Sequence, residues 1–358
     1  MLKLGIAIQG MTFMKSMIPL AIFANSVGVL PVLLLYRFRK GKTHDNLDHD
    51  RVYEIMKGMD LKFEAFIVSD ENDALRIMRK EKISNVVCQD AQHHGKVFCK
   101  THGLNVFSIG VFFDTLHYAN RLRRNHLKYE AEPRPDVLYF PDARFRDDFF
   151  RLFPDYDVRH KSIGSPLYDH SLFVEKKEYE RSVLFLCGLQ DRLSKTLQRD
   201  LESFAKHCIE NNITFYMKTR PKTPWKFQDS FVTDNVKVIR DEAGFPSTSL
   251  DMILNTDLHI SSYSTSVIES GHFGKPCINL DTIHKKGAEY GFAAVKDDFN
   301  FHDVYNSQLC KTVNEKVQDA YYSFVSDNRK APPIESITFS SNNSKRILED
   351  LVSFASRK

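Results

Sequence analysis

The stretch Thr256 to Asp281, TDLHISSYSTSVIESGHFGKPCINLD, decides the fold. DLHISS reads as a strand ending at about Ser262. Tyr263, Ser264, Thr265 and Ser266 form a hydroxyl-rich turn that opens a helix carrying Glu269, and PCINL reads as the next strand. A strand, a helix and a second strand in so short a span make a βαβ unit, whose strands lie parallel in one sheet. The N–H groups at a helix start have no partner within the helix. Joined by Ser and Thr hydroxyls, and favoured by the helix dipole, they suit a nucleotide monophosphate or diphosphate. At the carboxyl end of a parallel strand such a site faces the crevice where ligands of open α/β sheets bind. A Ser264 that merely caps the helix explains one hydroxyl; three in succession exceed what a cap requires.

The same rhythm extends outward. Upstream lie a strand at 183–187, a helix from about Ser194 to Asn211, the strands ITFYMK and VKVI, and a short helix after Ser249. Before them the charged segment VEKKEYERS, 174–182, breaks the apolar pattern and reads as a linker. The first half contains LKLGIAIQG, PVLLLYR, FEAFIVSD, NVVCQD, LNVFSIGVFF and DVLYFPD, with helical patterns between them, including a charged helix from Glu71. These apolar runs are continuous, as expected for strands buried on both faces of a parallel sheet. The expected architecture is α/β with two Rossmann-like domains facing a nucleotide-binding cleft. Its parts are two Rossmann-like domains, 1–170 and 171–335, and 336–358, an amphipathic helix capped by Ser344 that returns to the first domain.

Composition narrows the function. The 358 residues are 42% apolar and 27% charged, and at roughly 150 residues per domain they suit two domains. Fifty Lys and Arg against 46 Asp and Glu leave +4, too little asymmetry for a nucleic-acid partner. The cysteines at 88, 99, 187, 208, 277 and 310 form no CxxC pair, which argues for reduced thiols in an intracellular, cytoplasmic protein and against a zinc site. Ser16 to Tyr36 carries no charge over a length that could span a bilayer. Pro19, Asn25, Gly28 and Pro31 punctuate it, so the expectation is helix, a turn at Gly28, and a buried strand opened by Pro31. Arg37, Arg39, Lys40 and Lys42, and Arg121, Arg123, Arg124 and Lys128, are basic runs. They read as solvated faces, or as contacts for an anionic acceptor or for anionic lipid at a membrane surface.

The hydroxyl-rich turn, the helical Glu and GKPCINL together resemble the second domain of GT-B glycosyltransferases and their relatives. These include CDP-glycerol glycerophosphotransferases, sialyl- and Kdo-transferases and UDP-GlcNAc 2-epimerases. IGSPLYD at 163–169 and the closing helix agree in order, so the resemblance covers nearly the whole chain. In the capsule and teichoic-acid branch a Lys-x-His-Pro pattern at a strand end and a later hydroxyl pair hold the nucleotide. This sequence offers Lys218, Thr219, Arg220 and Pro221, then Thr265 and Ser266. Arg220 stands where the branch has His, and a guanidinium forks to two phosphate oxygens.

The resemblance implies a nucleotide site of Gly188, Lys218, Arg220, Ser264, Thr265, Ser266 and Glu269, with Glu269 toward the ribose. It makes 1–170 the acceptor domain and 171–335 the nucleotide-donor domain, and places Gln9, Gly10 and Arg121 near the acceptor. Acid–base candidates are Asp114 and His117 after VFSIGVFF, with His94 in the cluster Gln89, Asp90, His93, His94 and Gly95 as a further one. No DxD pair closes a strand, and no metal or cofactor is expected; the nucleotide-activated sugar enters as a substrate. The expected activity is metal-independent transfer from that donor to a hydroxyl of a glycan or glycolipid. A sugar-nucleotide 2-epimerase and a non-catalytic nucleotide- or glycan-binding relative are the alternatives.

Overall fold

The computed structural model describes residues 1–37, 49–89, 91, 95–110, 134–141, 143–152, 154–177, 181–187, 202, 205–218, 236–239, 245–262, 266, 269–270, 273, 275, 277–279 and 342–357. The chain divides into two compact units, 1–172 with 339–358, and 173–338.

Unit 1 is built on a parallel sheet of β1 (Leu2–Ile8), β2 (Val29–Tyr36), β3 (Glu64–Val68), β4 (Asn85–Gln89), β5 (Asn105–Ile109), β6 (Val137–Phe140) and β7 (Arg159–Ser162). They lie in the order β3-β2-β1-β4-β5-β6-β7. The order reverses between β1 and β4, the switch point at which such sheets open a crevice. Val32 to Leu35 of β2 and Leu4, Ile6, Ala7 and Ile8 of β1 are wholly buried, each large side chain contributing about 1.5 to 3 kcal/mol. On one face Ala7, Val32, Leu34, Tyr36 and Val68 pack with Ala74, Leu75 and Met78 of α3 (Glu71–Lys80). Asp70 caps α3, its carboxylate accepting from the N–H groups of Asn72 and Asp73.

The uncharged stretch resolves into α1 (Met11–Ala24), a short 3-10 turn at Asn25–Val27, Gly28 in the left-handed conformation at φ 75°, and β2. Only the start of the strand differs from expectation. β2 begins at Val29, and Pro31 lies inside it opposite Leu4. Among the described residues no helix is long and apolar enough to cross a membrane. Among the described strands and α-helices of this unit, four were not read from the sequence: β7, α2 (His49–Gly58), α4 (Lys96–Cys99) and α5 (Ala143–Leu152).

Helix α7 (Asn343–Ala355), whose N-cap Asn342 is left-handed at φ 64°, completes unit 1. It packs beside α1 and buries Ile347, Leu348 and Leu351. The Tyr139 hydroxyl donates to Asp350 at 2.9 Å, Lys161 pairs with the same carboxylate, and Phe354 meets Phe107 edge-on at 5.5 Å. Ser344 does not cap the helix as expected. It lies within the first turn, and its N–H and that of Asn343 bond instead to the two carboxylate oxygens of Asp169 at 2.6 and 3.0 Å.

Unit 2 holds a second parallel sheet, β8 (Ser182–Cys187), β9 (Thr214–Lys218), β10 (Val236–Ile239), β11 (Leu258–Ser262) and β12 (Cys277–Asn279), in the order β10-β9-β8-β11-β12. Its switch point falls between β8 and β11. Met252 and Ile253 of α6 (Thr248–Asn255) pack with Leu184, Leu186 and Tyr216 on one face, and Phe273 joins them.

Candidate functional site

Of the nucleotide-site candidates, Lys218, Ser266 and Glu269 lie among the described residues, and Lys218 stands at the carboxyl edge of unit 2's sheet. Lys218 ends β9 opposite Leu186 of β8, and Leu186 lies opposite Ser261 of β11; one step on, Cys187 faces Ser262. With strands spaced about 4.8 Å, the backbones of Lys218 and Ser261 are about 10 Å apart across that edge, within the span of a nucleotide diphosphate. Lys218 is 5% exposed, an unusual burial for a cation at a strand end.

Beyond β11, Ser266 and Glu269–Ser270 are helical, and all three side chains are buried. Ser266 and Ser270 are four residues apart and therefore share one helix face. That face is turned to the sheet, because the Ser270 hydroxyl lies 2.8 Å from Nδ1 of His259 in β11. Gly188, Arg220, Ser264 and Thr265 lie outside the described residues.

His259 itself was not singled out from the sequence, since a lone His in an apolar run carries no local signal. It is wholly buried, and its Nε2 lies 2.9 Å from Oγ1 of Thr256. Thr256 already donates that hydroxyl to the Met252 carbonyl at 2.6 Å. Nε2 must therefore carry the proton and donate, which leaves Nδ1 to accept from Ser270. Burial, then the Lys275 charge, push the His259 pKa down to about 3, in keeping with a neutral ring. Lys275 closes the circuit: its N–H donates to the Ser270 carbonyl at 2.9 Å and its ammonium to the Thr256 carbonyl at 2.8 Å. Burial lowers the Lys275 pKa, with the Asp257 carboxylate opposing. Thr256, His259, Ser270 and Lys275 thus form a closed hydrogen-bonded ring that fastens the helix to the start of β11.

Unit 1 presents its own polar carboxyl edge. Gln9 and Gly10 follow β1 at the switch point, where the Gly10 carbonyl accepts from the Phe13 N–H at the start of α1. The Gln9 side chain approaches the hydroxyl of Tyr36 at the end of β2, and burial holds that phenol well above its usual range. Across the switch point the Ser16 hydroxyl of α1 donates to Oε1 of Gln89 at 2.8 Å, and Ser108 of β5 accepts from the Ala91 N–H at 2.9 Å. The sequence marked Gln9, Gly10 and Gln89; Tyr36, Ser16 and Ser108 emerge from the structure. Asp114, His117, His94 and Arg121 lie outside the described residues. A concavity of about 660 Å³ lined by Lys100, His102, Arg134 and Asp136 opens at the opposite, amino-terminal edge, beside the starts of β5 and β6.

Among the described residues no three His, Cys, Asp or Glu side chains could hold a metal ion. Burial pushes the Cys99 and Cys208 thiols up to about 12, so both are protonated at neutral pH and poor nucleophiles or ligands.

No protein-family profile matches the chain, and no curated protein sequence matches it significantly. Solved structures match over its whole length. A Listeria monocytogenes protein assigned as a UDP-N-acetylglucosamine 2-epimerase shares 11% identity at a TM-score of 0.62, covering 100% of this chain and 97% of its own. A UDP-glucosyltransferase from Polygonum tinctorium shares 12% at 0.54, covering 100% and 99%. The wall teichoic acid polymerase TagF, soaked with CDPG, shares 14% at 0.53, covering 99% and 89%. The chain therefore has the GT-B fold. Transferases and epimerases both share it, so the fold alone does not choose a reaction.

Proposed function

We propose that the chain is a GT-B-type transferase that passes a sugar or related group from a nucleotide-activated donor to a hydroxyl of a glycan or glycolipid in surface polysaccharide or glycoconjugate synthesis. The observation that carries this reading is buried Lys218 in the same carboxyl edge as the end of β11, from which the helix of Ser266 and Glu269 departs. In this reading the helix start, with Thr265 and Ser266, binds the nucleotide phosphates, Gly188 lets backbone approach them, and Glu269 faces the ribose. Lys218 and Arg220 take up the charge that develops on the departing phosphate, so no metal is required. The acceptor oxygen attacks the donor carbon as the bond to the phosphate oxygen breaks. The acceptor proton passes to Asp114 or His117, with His94 a further candidate base, while Gln9, Gly10 and Arg121 contact the acceptor. The polymerase solved with CDPG and the glucosyltransferase named for UDP support a nucleotide-linked donor.

A second reading, epimerisation of a free sugar nucleotide, draws on the higher TM-score of 0.62 to the Listeria protein. A melting-temperature panel with CMP, CDP, UDP, GDP and TDP tests the nucleotide site, because a ligand of the native state raises apparent stability by mass action. One base is expected to stand out, and a flat panel would overturn both readings. Incubating the sugar nucleotide of the winning base without acceptor then separates them: conversion to an epimer supports epimerisation, whereas turnover that waits for a glycan supports transfer.

A further inference from the structure

We propose that His259 is a positioning residue for the nucleotide site, and that it acts through its Nδ1 bond to Ser270 by fixing how far the Ser266–Ser270 helix extends along β11. The inference rests on the proposed nucleotide site and deepens it. β11 runs from Leu258 to Ser262, so His259 lies near its amino end, whereas Ser266, the first helical residue described, follows its carboxyl end in the chain. The helix runs back along the strand, and its far end is the part that the ring holds. Helices in such crossovers are ordinarily seated by apolar packing, which tolerates small slides along the axis. A hydrogen bond does not: interactions weaken steeply with misalignment, and here both partners are wholly buried, with no water to replace them. Ser270 is one turn from Ser266, so a shift at the Nδ1 bond is transmitted through a single helical turn to the end that faces the ligand. The Nε2 bond to Thr256 has a different task. It stays within one connection of the chain, between the end of α6 and the start of β11, and aims the ring without touching the helix.

The two ring nitrogens can be separated by substitution. The short amide of Asn places an oxygen near the position of Nδ1, and the longer amide of Gln reaches the position of Nε2. His259→Asn should therefore keep the bond to Ser270, and His259→Gln should keep only the bond to Thr256. With UDP, CDP, GDP and TDP as titrants, the best-binding nucleotide is expected to lose about 3- to 10-fold in affinity in His259→Gln and in His259→Leu, the worth of one buried hydrogen bond, and less than twofold in His259→Asn. A role limited to filling the core would give Asn and Gln equal losses, and that result, or full affinity in both, overturns the proposal. Amide hydrogen exchange without nucleotide supplies an arm that survives failure of the nucleotide reading. Ser270 to Lys275 should exchange faster in His259→Gln than in His259→Asn, with α6 unchanged in both. If no nucleotide binds the wild type yet this contrast appears, the nucleotide site is wrong and the clamp is right; if the contrast is absent, the clamp is wrong.

Discussion

Gly164 takes φ +111°, a conformation L side chains rarely adopt, and a Cβ there would overlap the side-chain amide of Asn343. The same amide donates to the Ser165 carbonyl at 3.1 Å. The IGSPLYD segment is thus shaped around a residue 178 positions beyond Ser165. Gly164→Ala combines backbone strain with overpacking and is expected to destabilise unit 1 by about 1 to 3 kcal/mol. Urea unfolding measures this loss, and adding Asn343→Ala should recover the overpacking share; a Gly164→Ala protein as stable as the wild type would contradict the fit. From the sequence, IGSPLYD was legible only as a landmark of a resemblance, because nothing in its own residues points to Asn343. His259 was hidden for the same reason. Its partners Thr256 and Ser270 are near in sequence, yet only the crossover geometry makes them converge.

Among the elements, the readable ones were those whose signal is local. β1, β2, β4, β5 and β6 are continuous apolar runs, and α3 announces itself through Asp70 before an amphipathic stretch. β7 was missed because RHKS carries no apolar pattern: it is an edge strand whose cations serve α7, Lys161 and Arg159 both reaching Asp350. α7 was legible as a helix but not its cap. Asp169 supplies what Ser344 was expected to supply, since a tertiary carboxylate leaves no trace in local spacing. Asp169→Ala would leave two buried N–H groups unpaired and is expected to cost about 2 kcal/mol. The loss should concentrate in hydrogen exchange at Asn343 and Ser344, with α6 unaffected. Unaltered exchange at those two amides would mean that the cap is not what holds the helix start. Of the candidate site, the strand ends at Lys218 and Ser262 were legible from their pattern, and the turn of Tyr263, Ser264 and Thr265 lies outside the described residues. Tyr36, Ser16 and Ser108 were not, because each sits in an apolar run where burial is the expected fate.

At the scale of the molecule, each unit has one wholly buried, neutral histidine among its described residues. His170, in the 3-10 segment Pro166–Leu172 of unit 1, has its pKa pushed down to about 3 by burial first and the Lys15 charge second, and His259 of unit 2 is lowered to the same value. In the unfolded chain both return to about 6.5. A histidine whose folded pKa is depressed contributes stability that is complete above about 6.5 and is lost as pH falls toward the folded value, because only the unfolded state takes up the proton in that window. Each histidine then contributes a slope of about 1.4 kcal/mol per pH unit, or about 2 kcal/mol between pH 6.5 and pH 5. Asp169 works in the opposite sense: burial raises its pKa, against the N–H bonds from Ser344 and Asn343, so protonation on acidification favours the folded state. Its partial compensation belongs to unit 1 alone. His259→Asn should therefore narrow the gap between urea-unfolding free energies at pH 7 and pH 5 by about 2 kcal/mol, and this range lies above the ordinary carboxylate pKa values, so other groups contribute little. An unchanged gap in that variant would show that His259 is already protonated in the folded state, and the bond to Ser270 would then run the other way, with Nδ1 donating to the hydroxyl instead of accepting from it.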